Sequence, residues 1–397
     1  MNKLISLAIY LGGIGSLLLC DILVTRSFSE EDIALWAEVR SLIGISGILC
    51  LVGLEQVLMR SRRSSARLLQ LLAIQIPILS IVVGSLLWFF GFLNYWLIAV
   101  LLGGAAASSS ALAQYYRSHY MSIASQLAQQ LWKCLALIAI VIVLMYEVKV
   151  EVDALVVGIM VFSVMLVAVF IFRYTPGSLF PQDPQGYAEL YMIGSRFMVT
   201  ALLLSLAIYG EQLLVNKLGG ASDGAQYFTH ATYFLFPVSV FNGYFAFVIA
   251  PWVRDNHDKY INILKEKYFL IILSAFGYSM FISFIGWLGW LVVRPAVGMP
   301  NLFLQMIFFW VCFFRTIYML PSAYIGVFGR PRQHDILIAG QAAALIIAVL
   351  LLFFLKESGW LELVTIVALA SAVNWGLRVM AGFGVTGIIE RSRRGYE

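Results

Sequence analysis

Charge is scarce in this chain. Only 12% of its 397 residues are Asp, Glu, Lys or Arg, against about a quarter in a soluble domain. Hydrophobic residues make up 61%, and the mean hydropathy is +0.90. Together these exclude a water-soluble globular fold and leave a polytopic membrane protein. Cysteine is also sparse: Cys20, Cys50, Cys134 and Cys312 all lie in apolar runs without metal-ligand spacing, so they read as small hydrophobes rather than bridges or zinc ligands. No P-loop, HExxH or CxxC occurs, and no polar block is long enough to house a nucleotide-binding domain. These absences argue against an enzyme and against a directly ATP-driven machine.

What the chain has is long apolar runs. A membrane-spanning helix needs about 20 such residues, and about twelve runs qualify: roughly 4–24, 34–57, 68–90, 94–114, 122–146, 152–173, 191–216, 226–250, 265–292, 301–327, 336–355 and 360–388. The first could pass for a secretory signal, but it lacks a small-residue cleavage site before Asp21 and reads as an uncleaved helix. Sixteen of the 26 basic residues fall in one set of connections and five in the alternate set, which predicts that both termini face the cytoplasm. The basic clusters around Arg60–Arg63 and Arg391–Arg394 follow spans, so they are topology signals and lipid-headgroup contacts, with no nucleic-acid role. The polar, Pro- and Gly-rich stretch from Arg173 to Leu190 separates two six-helix lobes: 1–174, a cytoplasmic linker 175–190, and 191–397. Weak echoes between the lobes support a parallel repeat, with Arg60 answered by Arg254 and Arg117 by Arg330. The small residues from Gly103 to Ser110 predict close helix packing.

Five cations sit inside these runs: Arg40, Lys133, Arg196, Arg315 and Arg378. A cation at mid-bilayer costs about 2.5–3.5 kcal/mol on insertion scales, so it faces a wet cavity or a partner rather than lipid. Asp21, Glu38, Glu55 and Glu211 are the acids within the runs, all toward their ends. A structural reading pairs Asp21 or Glu38 with Arg26 or Arg40. It leaves Lys133 and Arg315, near mid-depth, without an acid at their own level. The functional reading is an anionic guest. Arginine grips phosphate oxygens with a planar fork and lysine offers a mobile point charge, so Arg26, Arg40, Lys133, Arg196, Arg315 and Arg378 are the candidate substrate-binding residues. Asp21, Glu38 and Glu211 are candidates for coupling to H+ or Na+; no cofactor is expected. His230, at the start of the eighth run, reads as a hydrogen-bonded helix-end histidine.

The stretch from Arg26 to Trp36 (RSFSEEDIALW), followed by GLEQVLMR from Gly53 to Arg60, resembles the first hairpin of the Wzx-type polysaccharide-unit (O-antigen) flippases. The run from Glu211 to Tyr227 (EQLLVNKLGGASDGAQY) is similar to their acidic, apolar, Gly-rich segment, with Glu where Asp is more usual. These motifs are shared with a larger superfamily of multidrug extruders and lipid-linked oligosaccharide flippases. The resemblance implies an all-α protein of two six-helix lobes around a central cavity. It implies outward movement of an undecaprenyl-diphosphate-linked oligosaccharide by alternating access in the bacterial inner membrane, with membrane lipids, a polysaccharide polymerase and chain-length machinery as partners. Tyr209, Gln212, Asn216, Tyr227 and Tyr233, with Asn242, Tyr244, Tyr318 and Tyr324, are candidate sugar contacts.

Two rivals remain open. A cation-coupled multidrug extruder shares the implied fold, but should line its cavity with acids rather than bases. A membrane polysaccharide polymerase or ligase also has many spans; it usually carries a large outer loop, whereas every outward connection here is about ten residues or fewer.

Overall fold

The computed structural model describes residues 2–60, 65–174, 187–238, 242–243, 252–253, 256–294 and 298–394. Among them there is no strand. The helices are α1 (Asn2–Ser27), α2 (Glu30–Leu51), α3 (Leu54–Arg60), α4 (Ser65–Phe89), α5 (Trp96–Ser118), α6 (Ser122–Tyr146) and α7 (Val152–Tyr174). There follow α8 (Tyr187–Phe234), α9 (His257–Glu266), α10 (Tyr268–Val293), α11 (Leu302–Phe328), α12 (Pro331–Ser358) and α13 (Leu363–Arg394). Lipid offers no hydrogen bonds to the backbone, so apolar segments of this length must satisfy their own amides as helices.

Among the described residues eleven stretches are long and apolar enough to cross a membrane. One of them, Glu189–Phe234, has 46 residues; at 1.5 Å per residue it is about 70 Å long, over twice a hydrocarbon core of about 30 Å. It holds two helices that meet at Gly220, whose φ of 78° and ψ of −164° are non-helical. Counting both gives about twelve spans. Most of the expected linker, residues 175–186, lies outside the described residues, as does most of the end of the eighth expected span.

The chain divides into two compact units, Met1–Leu213 and Leu214–Glu397, and the division falls inside α8. In the N-terminal unit α1 packs on α6, while α5 packs on α2, α4, α6 and α7. The small face of α5 permits this. Gly103 faces Cys50 Sγ and Gly104 faces Ser80 Oγ, while from α2 Gly47 meets Ala106. Ser109 Oγ donates to the Ala128 carbonyl at 2.6 Å. Side chains on the periphery stay exposed, as with Phe89 at 76%, which suits a lipid-facing surface. All four cysteines are free, three of them fully buried.

The second expected span, 34–57, is in fact broken. Val52 and Gly53 take φ values of 51° and 72°, ending α2 before α3 begins. Gly53 is required there on two counts: the positive φ, and the approach of α8, since a Cβ would lie 2.0 Å from the Gly194 carbonyl oxygen. Gln75 from α4 braces the break, donating Nε2 to the Cys50 carbonyl at 2.9 Å and accepting from the Tyr191 hydroxyl at 2.6 Å.

In the C-terminal unit α13 packs against α11 and α12, and α10 against α11. Trp290 of α10 anchors an aromatic group with His230, Tyr233 and Phe234 of α8, and its Nε1 donates to the Gly298 carbonyl at 3.0 Å. Gly286 makes room for this, because a Cβ there would lie 2.3 Å from the Tyr233 carbonyl oxygen. His230 Nδ1 also lies 2.9 Å from the Gln226 carbonyl oxygen.

Candidate functional site

In the N-terminal unit three helices bring polar groups together. Asp21 of α1 is fully buried and forms an ion pair through Oδ2 with Arg40 Nη1 on α2. Trp36 lies one turn before Arg40 on the same face and donates Nε1 to Asp21 Oδ1 at 2.9 Å. Burying the Asp21 carboxylate is costly, and both of its oxygens are satisfied by these contacts. Lys133 of α6 donates from Nζ to Gln130 Oε1 at 2.8 Å, an i, i−3 contact along its own helix. Gln130 is held by α1: a Cβ at Gly13 would fall 2.4 Å from the Gln130 Cβ. Nearby, Ser16 Oγ contacts Cys134 Sγ at 3.6 Å. The Arg40 guanidinium is close enough to act electrostatically on Lys133. The group thus holds two cations and one carboxylate.

In the C-terminal unit Arg315 of α11 is 5% exposed and Arg378 of α13 is fully buried. Both lie against Trp375, with their guanidinium carbons 4.8 Å and 5.6 Å from the indole centroid. The indole face carries negative partial charge, so it attracts both cations where water is absent. Arg378 and Trp375 are placed by their spacing on α13, and Asn374 Oδ1 accepts from Arg378 Nε at 3.1 Å. Tyr318, one turn beyond Arg315, meets the indole edge-on with centroids 5.8 Å apart, and its hydroxyl accepts from Gln341 Nε2 on α12. Among the described residues Trp375 Nε1 has no acceptor. α11 contains no acid, and the one acid of α13, Glu390, accepts from the Tyr324 hydroxyl and lies 3.3 Å from His257 Nε2. Around Trp375 the arrangement thus gathers two guanidinium groups, an amide and a hydroxyl on helices α11 and α13, whose one acid, Glu390, is engaged with Tyr324 and His257.

The other sequence candidates are placed differently. Arg26 is exposed in the last turn of α1, where a cation complements the helix C-terminus. Arg196 and Glu38 are half-buried, and Glu211 is 8% exposed. Of the candidate sugar contacts, Tyr209 lies against Gly44 of α2, Tyr227 packs on Phe308, and Tyr324 stacks on Tyr260; Tyr244 lies outside the described residues. Sequence reasoning passed over Trp36 as a ligand of Asp21, Gln130, Asn374 and Trp375. The signals were present: Gln130 precedes Lys133 by three residues, while Asn374 and Trp375 precede Arg378 by four and three.

No family model and no curated protein matches the chain. Solved structures do. Two are crystal structures of MATE, in complex with MaL6 and with MaD3S, at TM-scores of 0.58 and 0.59. Another is the outward-facing conformation of a multidrug resistance MATE family transporter of the MOP superfamily, at 0.57. Each is 13% identical, and each match covers 98% of this chain and 95–96% of the other. The chain is a multi-span helical protein with a MATE-like fold.

Proposed function

We propose that the chain is a flippase that carries an undecaprenyl-diphosphate-linked oligosaccharide from the cytoplasmic to the outer leaflet of a bacterial inner membrane by alternating access. The observation that carries this reading is the pair of buried guanidinium groups at Trp375 on helices whose apolar stretches hold no acid. Lys133 supplies a further cation in the other unit, and charge-assisted contacts from arginine and lysine are the strong ones for phosphate oxygens. A guest of charge about −2 leaving a negative interior gains about 2.3 kcal/mol per charge at 100 mV, roughly 4–5 kcal/mol in all. Outward movement can therefore draw on membrane potential, and Glu211 is the proposed carboxylate for resetting the empty carrier with H+ or Na+. The second reading is a cation-coupled multidrug extruder, favoured by the like fold of a multidrug resistance MATE family transporter.

The test is reconstitution in liposomes with a fluorescent lipid diphosphate sugar, scored by its accessibility to a membrane-impermeant quencher. The flippase reading expects gradient- or potential-dependent flipping that falls at least about ten-fold, or about 1.4 kcal/mol, in Arg315→Ala and Arg378→Ala. Glu211→Gln should flatten the gradient response more than Glu211→Asp. Transport of a lipophilic cation by the same vesicles, with no movement of the lipid diphosphate, would select the extruder.

A further inference from the structure

Glu55 is an acid for which the anion path has no use. It stands in the first turn of α3, immediately after the break at Val52–Gly53, and is 5% exposed. Its Oε2 atom has no hydrogen-bond partner among the described residues. The surroundings of α3 are apolar: Leu54, Val57 and Leu58 cluster with Leu68 and Leu72 of α4 and Ala111 of α5. An isolated carboxylate in such a place is far costlier than the neutral acid.

No neighbouring charge removes that cost. On α5, packed against α3, the ionisable residues are Tyr115, Tyr116 and Arg117, with His119 just beyond; α4 contributes Arg67. On the stretch of α8 that flanks Gly194, where α8 meets the break, they are Glu189, Tyr191 and Arg196. Among the described residues none pairs with Glu55, whose carboxyl feels only burial and its own backbone amide. Tyr191 is turned to Gln75 instead, which holds the Cys50 carbonyl. Glu55 lies beyond the end of the span Glu30–Leu51, and burial pushes its carboxyl up to about 7. Five residues separate it from Arg60 at the end of α3, about 7.5 Å of helix rise from the basic connection that follows.

We propose that the break between α2 and α3 is a proton-binding site, with the Glu55 carboxyl as its acceptor, loaded and emptied from the lysine- and arginine-rich end of the N-terminal unit. The site binds a proton whichever cargo the chain carries. The broken helix gives the carboxyl a fixed setting, since Gly53 and Gly194 lock α3 to α8 and Gln75 occupies the freed carbonyl of α2. A neutral Glu55 leaves the apolar cluster intact. An ionised one must draw in water or a cation, so protonation and packing at this point are coupled.

The experiment is infrared difference spectroscopy of the full-length protein in liposomes, following the stretching band of protonated carboxyls as pH is raised. Wild type should lose a band with its midpoint near 7, Glu55→Gln should lack it, and Glu55→Asp should show it at a displaced frequency. The linkage has a definite sign. The folded carboxyl, at about 7, holds its proton where an unfolded glutamate with a pKa of about 4.3 has released it, so stability falls as pH rises through that window. Thermal unfolding should therefore show this fall in wild type and not in Glu55→Gln. If Glu55→Gln does not fold, the displaced band of Glu55→Asp decides. An unchanged band in either variant, or no band titrating near neutrality, overturns the proposal. Loss of the band on adding sodium at fixed pH also overturns it, in favour of a sodium site. Because no transported substrate enters the measurement, its failure is distinguishable from failure of the flippase reading.

Discussion

In the N-terminal unit the half-buried cation Arg40 is matched by a buried carboxylate, whereas in the C-terminal unit Arg315 and Arg378 share an indole on helices with no acid nearby in sequence. The same kind of side chain is thus compensated in two ways. Asp21 and Arg40 neutralise each other and tie α1 to α2, so removing either leaves the other as a stranded charge. Arg315 and Arg378 both lie against Trp375, so removing one loses a cation–indole contact and leaves no carboxylate stranded on α11. Buried positive charge by itself therefore does not mark a cargo site; what surrounds it does.

The sharpest way to break this contrast is to compare Asp21→Ala with Arg315→Ala in detergent unfolding. Asp21→Ala should lose about 3–5 kcal/mol, the range for breaking a buried pair from one side, and adding Arg40→Leu should restore part of it. Arg315→Ala should keep most of its stability while losing transport. Equal destabilisation by the two would erase the distinction. Gly13→Ala should cost about 1–3 kcal/mol by overpacking, because its Cβ strikes Gln130. It should also disturb Lys133, visible as a changed transport rate relative to a control alanine at Gly12, where a Cβ meets nothing.

Trp375→Phe keeps a ring but removes the Nε1 donor and weakens the cation contacts. A drop of about 1–2 kcal/mol in pyrophosphate affinity, measured by calorimetry, is expected; unchanged affinity would place the anion away from the indole. The smallest effect belongs to Arg26→Ala. Exposed at the end of α1, it should move stability within about 0.5 kcal/mol. A large loss of transport there would extend the cationic path beyond the buried groups.

The helical class, about twelve spans and the small-residue face of α5 were legible in the sequence, because insertion into lipid is decided by local hydropathy and length and close helix approach by side-chain size. Identity of the charged residues was legible too, since each stands out against an apolar run. The break at Val52–Gly53 was not: LCLVGLEQVL reads as one apolar helix, and only the approach of Gly194 and the side chain of Gln75 fix the left-handed turn. The seventh and eighth spans, in turn, meet directly at Gly220 without a loop of their own.

Which acid belongs to which base was likewise a tertiary decision. Asp21 precedes Arg40 by nineteen residues across a turn, and the sequence offered Arg26, nearer along the chain, as an alternative partner. Lys133 found an amide on its own helix, a contact the i, i−3 spacing allowed but did not require. The sequence determined that a membrane would be crossed and that cations would be buried, because both follow from composition along the chain. The tertiary structure alone decided which of them are neutralised, since that depends on the distances between side chains of different helices.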